Sequence, residues 1–498
     1  MLSYQYESEP TAAQMTGYAG LLPYLDLACV LGVLAAVDAE VGISGAQGWL
    51  DRQHVLALLL LNLAGGEGMD DIRLLEADAG LCRVVREAEH HRLSRQERRW
   101  WAGRFRKGRT RTFPSPTRIC EWLERFHEQS QEELRQEGVA FIPKPSAPLH
   151  GLGKVNQALL ASVQQHAPCA EATLDIDATL QETHKREALV CYKGYRAYQP
   201  LNVYWAQTSL LVYSQFRDGN VPAQGGILEA LKASLEALPA GVETVRVRID
   251  SAGYQHEVMK YCATGDGGTR DPLEFAISND MTPEFRAAVR QVPEEEWRPL
   301  TRADGAAQEW AEVVYVPAAA ARSKQDPDYR YLAIREKVEQ GILPGMTEGP
   351  QPKLPFATES LAGVTYRLSG IVTNREEEGA ALIRWHYQRC GKSEEAHAIL
   401  KTDLAGGRFP SGKFGANAAW WAIVVLASNL HAALRRLALP GSLTSKRMKA
   451  LRFALIAVPG RVVERGRQLF VRLARGHPAL GGLTQMRRKL QTLRPACA

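Results

Sequence analysis

Three acidic positions have the spacing and the company that phosphoryl transfer on a nucleic-acid backbone requires. Asp175 and Asp177 lie two apart in the run Thr173-Leu174-Asp175-Ile176-Asp177-Ala178-Thr179. On a strand, both carboxylates leave the same face while Leu174 and Ile176 point into a core. Asp250 closes a second strand-like run, Val245-Arg246-Val247-Arg248-Ile249-Asp250, just ahead of the turn signal Ser251-Ala252-Gly253. A third acid comes from Arg375 to Leu404, which reads as one long helix. Tyr387, Glu394 and Lys401 recur there every seven residues and would share one helical face. A carboxylate flanked by a phenol and an ammonium suits a metal ion beside a phosphate, with lysine as a point charge on that phosphate. Carboxylates are the ligands that hard divalent cations prefer, and a pair of such cations can grip the attacking and leaving oxygens of a displacement.

Each acid also has a plainer reading. An aspartate at a strand end is commonly a turn or cap residue, and Glu394 beside Glu395 fits a solvated helix face. Other chemistries find less support. The histidines form no H-E-x-x-H pair, which disfavours a zinc hydrolase, and His397 reads as a helix-face residue. Gly407 to Phe414 approaches a phosphate-loop spacing but ends Gly412-Lys413-Phe414, without the hydroxyl that would hold Mg²⁺. Ser251 lies outside any G-x-S-x-G elbow. Paired carboxylates could serve a glycosidase, but such an enzyme has no use for the charge distribution described below.

The elements that must position these acids follow from periodicity. Residues 1–140 read as helical, with Leu21 to Val37, Trp49 to Ala64 and Met69 to Val85 spaced as helices. Ser115-Pro116-Thr117 starts another helix, with Ile119, Trp122, Leu123 and Phe126 on one face. Residues 141–167, rich in Pro and Gly at their start, read as a linker. From 168 to 280 the order is strand (Thr173–Thr179), a strand pair (Leu201–Ala206, Ser209–Phe216), helix (Gly226–Leu238), strand (Val245–Asp250), short helix (Tyr254–Cys262) and strand (Glu274–Ser278). That order suggests a mixed sheet flanked by helices. Residues 281–373 read as a β-rich insertion with strand-like pieces at Trp310–Val316, Tyr329–Ile334 and Val364–Thr373. Residues 374–435 would return to the core with the long helix and a buried apolar helix, Trp420–Leu434. Residues 436–498 form a basic C-terminal region, with a hairpin over Ala454–Val463 and Gln468–Leu473.

Charge is segregated along the chain. Residues 1–91 carry four Arg against thirteen acids, residues 92–118 carry ten Lys or Arg against Glu97 alone, and residues 435–498 carry fifteen against Glu464 alone. Two basic blocks suit a polyanion, whose counterions would be released on binding. In the first block Arg104, Arg106, Lys107 and Arg109 stand beside Trp100, Trp101 and Phe105, as in a small DNA-binding helical unit. The alternatives are a solvated face, or a basic block that pairs with the acidic first ninety residues.

The whole chain has 498 residues, with 45% hydrophobic and 23% charged. This is ordinary globular usage and leaves room for several domains. The longest apolar run, Ala418–Ala427, is far short of the ~20 residues that cross a bilayer. The N-terminus has no basic stretch followed by an apolar one, so no signal peptide is expected. Eight scattered cysteines without a C-x-x-C suggest a reducing, cytoplasmic setting.

Leu174–Thr179, Val245–Tyr254 and the stripe Tyr387, Glu394 and Lys401 together resemble the DDE transposases of bacterial insertion sequences. The wider text, including Leu61-Asn62-Leu63, Met69-Asp70-Asp71, Tyr192-Lys193-Gly194-Tyr195 and Gly219-Asn220, is most similar to the insertion-sequence group numbered thirteen-eighty. That branch carries an arginine three residues after its tyrosine. Cys390 stands at that position, with Arg389 one residue early. The resemblance implies an RNase-H-like α/β core and the catalytic, metal-holding acids Asp177, Asp250 and Glu394. Asp177 is preferred over Asp175 because a small residue and Thr follow it. Tyr387, Arg389 and Lys401 would contact DNA. The resemblance further implies Mg²⁺ or Mn²⁺, two ions per site, and water attack that frees a 3′-hydroxyl, which then attacks target DNA. The partners implied are double-stranded DNA, as terminal inverted repeats and target, and a second copy of the chain in a homodimeric synaptic complex. The setting would be the bacterial nucleoid. Trp297, in the β-rich segment, is a candidate for stacking on a flipped base, against the simpler reading that it packs internally. A catalytically inactive DNA-binding derivative is the alternative function, kept open by the displaced arginine.

Overall fold

The computed structural model describes residues 14–90, 93–265, 271–301, 305, 307–317, 327–338, 358–361, 363–466 and 468–493. Eight helices open the chain: α1 (Leu22–Val30), α2 (Val33–Glu40), α3 (Asp51–Ala64), α4 (Ile72–Ala77), α5 (Ala79–His90), α6 (Arg95–Gly103), α7 (Pro116–Glu124) and α8 (Gln129–Glu132). They follow a two-residue strand, β1 (Met15–Thr16). Serine caps begin α6 and α7: Ser94 Oγ accepts the Glu97 N–H and Ser115 Oγ accepts the Arg118 N–H. Most of the expected linker at 141–167 is helical, and 141–146 is irregular chain. Ser146 caps a 20-residue helix, α9 (Ala147–His166), whose Leu152, Val155, Leu159, Leu160 and Val163 are buried. Pro143 and Pro145 precede this helix, and Pro148, Gly151 and Gly153 lie in its first two turns, where Pro148 costs no hydrogen bond.

The sheet that follows is built from β2 (Glu171–Ala178), β5 (Leu201–Trp205), β6 (Leu210–Gln215), β7 (Thr244–Ile249), β8 (Glu274–Ser278), β9 (Arg298–Thr301), β10 (Ala307–Val313), β11 (Arg330–Lys337), β12 (Thr358–Leu361) and β13 (Val364–Thr373). Two-residue strands β3 (Gln181–Glu182) and β4 (Ala197–Tyr198) pair apart from it. The order across the sheet is β6-β5-β2-β7-β8-β13-β11-β10-β9, with β12 on β13. β2, β7 and β8 are mutually parallel neighbours, while β5 and β13 run antiparallel to theirs. The β-rich segment 281–373 therefore continues the central sheet. It does so because β13 hydrogen-bonds β8 through Ile371↔Ser278 to Thr373↔Ala276. Helices α10 (Ile227–Ala237), α11 (His256–Thr264) and α12 (Pro283–Val289) connect these strands.

The long helix expected over 375–404 is broken. It forms α13 (Gly379–Tyr387), an interruption at 388–391, α14 (Lys392–Ala398) and a π-helical turn over Ile399–Asp403. Gly391, the residue that precedes α14, has φ +79°, a left-handed conformation that side-chain-bearing residues adopt at a cost. The next helix, α15 (Phe414–Leu437), is long and apolar enough to cross a membrane, yet 89% of its most apolar stretch is buried within the fold. Its Asn429 side chain accepts the Leu211 N–H at 2.7 Å and donates to the Leu211 carbonyl at 2.8 Å. One amide thus satisfies the open edge of β6 as a neighbouring strand would.

After α16 (Met448–Leu451), the chain closes on its own beginning. A hairpin of β14 (Gly460–Arg465) and β15 (Gln468–Arg472) takes β1 as a third strand. The last helix, α17 (Ala479–Thr492), packs against α1. Arg83 pairs with Glu464, Arg487 pairs with Asp26, and Arg452 donates to the carbonyls of Leu63 and Asn62. Part of the basic C-terminal charge is thereby matched to the acidic N-terminal region. Arg461, Arg465, Arg472, Arg475, Arg488 and Lys489 remain exposed.

Candidate active site

Strand register brings two of the three acids together. In the parallel pair β2/β7, Asp175 lies opposite Arg248 and Ile176 opposite Ile249. The next residues, Asp177 and Asp250, therefore emerge side by side at the carboxyl ends of adjacent strands, the usual location for sites in sheets of this kind. Leu174, Ile176, Val247 and Ile249 anchor the pair in the core, each at most 1% exposed. Between the aspartates is a small cavity of about 30 Å³, lined by Ile176, Ala178, Leu201, Ile227 and Ala252 among others. Asp250 also caps the 3₁₀ turn Ser251–Gly253 by accepting the Ala252 N–H at 3.0 Å.

Asp175 has another task. Arg248 holds it with two charge-assisted hydrogen bonds of 2.6 and 2.8 Å, both side chains buried. The same guanidinium donates to the Trp385 carbonyl and lies 5.1 Å from the Trp385 ring, which Arg375 also covers at 4.3 Å. This cluster clamps the last turn of α13 onto the sheet, and Arg248 engages both carboxylate oxygens of Asp175.

The interrupted helix delivers the remaining groups. Arg389 Nη2 lies 3.9 Å from Asp177 Oδ2 and 4.0 Å from Asp250 Oδ2. His397 Nδ1 lies 3.9 Å from Asp177 Oδ2, and its ring packs on Tyr204 with centroids 5.8 Å apart. Burial pushes the Asp177 carboxyl up to about 6; Arg389 opposes this, while the negative charges of Asp250 and Glu394 add to it. Burial also pushes the His397 imidazole down to about 4, so it is neutral near pH 7. Several buried polar atoms around Asp177 have no hydrogen-bond partner: His397 Nε2, Arg389 Nε, Tyr204 Oη and Asn202 Nδ2. Asn202 is the register partner of Asp177 on β5.

Glu394 is exposed at the start of α14, where its carboxylate accepts the Gly391 N–H. Tyr387, at the end of α13, is half-buried, and Lys401, in the π turn, is exposed. The break at 388–391 means that these three do not form one helical stripe. Hard oxygen donors are the right kind for a divalent cation, and Asp177 with Asp250 already share one cationic group. Among the described residues, however, no three acids or imidazoles stand together as a ready metal-binding cluster. Glu394 is near enough for its charge to raise the Asp177 carboxyl, and one of its carboxylate oxygens is engaged by the Gly391 N–H.

The model of the family described as Transposase DDE domain group 1 matches residues 51–495. The chain belongs to this transposase family. No curated protein matches it. Among solved structures, it is similar to the piggyBac transposase in a synaptic complex with hairpin DNA, determined by cryo-EM. That similarity has 10% identity, covers 88% of this chain and 80% of the other, and has a TM-score of 0.39.

Other residues singled out in this transposase from sequence fall differently. Arg106 and Lys107 are exposed. Arg104 is buried and donates to the carbonyls of Gly48 and Gly45. Arg109 pairs with Glu89 and lies 4.7 Å from the Trp49 ring. Those two arginines are engaged within the helical region by these contacts. Trp101 is buried, while Trp100 is exposed beneath Arg104. Trp297 is 8% exposed, with the Arg335 guanidinium 4.2 Å from its ring centre, so the internal-packing reading holds for it. Sequence reasoning missed the approach of His397 to Asp177 and the packing of His397 on Tyr204. The alternation of β5 was the available signal, since Asn202 and Tyr204 are cross-strand partners of Asp177 and Asp175.

Proposed function

We propose that the chain is an active, divalent-metal-dependent DNA transposase that cleaves and joins strands at the terminal inverted repeats of a bacterial insertion sequence of the thirteen-eighty group. The observation that carries this reading is the pairing of Asp177 and Asp250 at the ends of adjacent parallel strands, within reach of one guanidinium and of the field of Glu394. The strand order β6-β5-β2-β7-β8, with three antiparallel strands followed by two parallel ones, supports an RNase-H-like core.

In this reading Asp177, Asp250 and Glu394 hold Mg²⁺ or Mn²⁺, a pair of ions per site. Bound, such ions supply Lewis-acid stabilisation of the attacking and leaving oxygens. Asp177 and Asp250 fix the anionic centre on the rigid sheet, and Lys401 and Arg389 offer cations to the DNA phosphate. The buried wall of Tyr204 and His397 keeps bulk water off one side of Asp177. Exposed Arg106, Lys107 and the basic residues of β14, β15 and α17 offer charge to duplex DNA. The working form is a homodimer on paired DNA ends, on the nucleoid in the cytoplasm.

The test is nicking of a duplex carrying the inverted repeats that flank the reading frame, with Mn²⁺ present. Asp177→Asn, Asp250→Asn and Glu394→Gln should each lower the rate by roughly a hundredfold or more, the scale for removing an electrostatic stabiliser of the transition state. Undiminished cleavage in all three variants rejects the assignment. Tight binding without nicking at saturating Mn²⁺ would instead fit an inactive DNA-binding derivative, a reading favoured only by the position of Glu394 on its own helix cap.

A further inference from the structure

The interruption between α13 and α14 carries a cation into the place where the charge of a metal ion is needed. Arg389 is nine-tenths buried, its Nε lacks a hydrogen-bond partner, and its Nη2 stands about equally far from the nearest oxygens of Asp177 and Asp250. Distances of 3.9 and 4.0 Å are too long for hydrogen bonds, yet short enough for attraction, stronger toward the more buried Asp177 than toward the half-exposed Asp250. The guanidinium is thus neutralised by the carboxylates without being latched to them. Contrast Arg248, which holds Asp175 with two bonds under 3 Å. The backbone around Arg389 is a break between helices, with Gly391 in the left-handed region. Glu394 is tied to that same break through the Gly391 N–H. A shift of 388–391 would therefore move Arg389 and Glu394 together.

We infer that Arg389 is the built-in counter-ion of this site: it stands in for a divalent cation between Asp177 and Asp250 until a DNA phosphate draws it away, so that metal loading is coupled to DNA engagement. This rests on the metal-dependent reading above. A guanidinium and a divalent ion compete for the same two carboxylates, and a buried cation left beside a metal ion would be repelled. A phosphate offers the guanidinium two parallel hydrogen bonds that the carboxylates do not give it here. Release of Arg389 loosens the break and frees Glu394 from its cap to complete the donor set. The coupling must be reciprocal: DNA tightens metal binding by the same factor by which metal tightens DNA binding.

The experiment measures Mn²⁺ binding to the full chain by the electron paramagnetic resonance signal of free Mn²⁺, with and without a short duplex oligonucleotide. Without DNA, Arg389→Gln should bind Mn²⁺ roughly tenfold more tightly than the wild type, the effect of removing a unit charge about 4 Å from shared carboxylates in a partly screened site. Arg389→Lys, which keeps the charge, should stay within a few-fold of the wild type. Adding duplex should tighten Mn²⁺ binding to the wild type and change Arg389→Gln much less. Equal Mn²⁺ affinity of wild type and Arg389→Gln, both folded by thermal melting, overturns the inference. If Arg389→Gln does not fold, the wild type alone decides: Mn²⁺ affinity unaffected by duplex overturns the coupling. Failure of the underlying reading looks different, because a wild type that never nicks its ends with Mn²⁺ fails irrespective of these affinities.

Discussion

The two halves of the candidate active site are built to opposite standards of rigidity. The sheet half presents Asp177 and Asp250 from parallel strands whose register is set by buried Leu174, Ile176, Val247 and Ile249, with Asp175 and Arg248 locked beneath them. The helical half presents Arg389, Glu394, His397 and Lys401 from a helix that breaks, restarts in the left-handed region at Gly391 and ends in a π turn. A strand end in mid-sheet cannot move without unpairing its neighbours. A two-turn helix between an interruption and a π turn can. In the proposed reading the aspartates fix where chemistry would happen, and the helical segment decides when the site is complete.

The largest effect on stability should come from breaking the sheet half. Arg248→Met strands the buried Asp175 carboxylate without its partner, which should cost about 3–5 kcal/mol in urea unfolding. Adding Asp175→Leu should recover a large part of that loss, since a well-packed apolar pair can replace a buried ion pair. No recovery in the double variant would mean that the pair acts chiefly by holding the Trp385 carbonyl, so that the two halves are one mechanical unit.

A pH effect follows from Asp177. Its folded-state carboxyl is raised to about 6 from an ordinary value of 3.8, so the ionised form opposes folding. The stabilising contribution of the protonated form is complete below pH 3.8 and is lost as pH rises through about 6. Asp177→Asn should therefore be more stable than the wild type near pH 7.5, by about 1–3 kcal/mol, and should flatten the stability curve between those two pH values. Equal stability at pH 7.5 would show that Arg389 neutralises the carboxylate fully.

On the helical half, Gly391→Ala should cost only about 1–2 kcal/mol, the penalty for a side chain in the left-handed region. No atom stands in the way of its Cβ. Nicking should fall by more than this small loss of stability explains, because the break positions Arg389 and Glu394. Normal nicking would show that the break carries no functional geometry. The smallest effect belongs to the surface: Arg106→Ala with Lys107→Ala should weaken duplex binding a few-fold and reduce its salt slope by roughly one to two, as lost phosphate contacts do. Arg104→Ala should instead lower the melting temperature, because that side chain holds the carbonyls of Gly45 and Gly48.

Much of this protein was legible in its residues. Local patterns depend on near neighbours, so alternation and turn signals located β2, β5, β6, β7 and β8 to within a few residues, and the acids at their ends with them. Continuous periodicity misled at 375–404, because a seven-residue recurrence is blind to a single left-handed glycine that resets the helix. It misled at 141–167, because Pro and Gly in the first turns of a helix look like a loop when the buried face beyond them is ignored. The charge blocks were visible, but which arginines face solvent was not: Arg104 and Arg109 lie in the same block as Arg106 and Lys107 and differ only in what folds against them. The convergence of residues 177, 250, 389 and 397, drawn from three separate stretches of the chain, belongs to tertiary structure alone. It depends on strand register and on where a broken helix is clamped, and both are set by packing between distant segments.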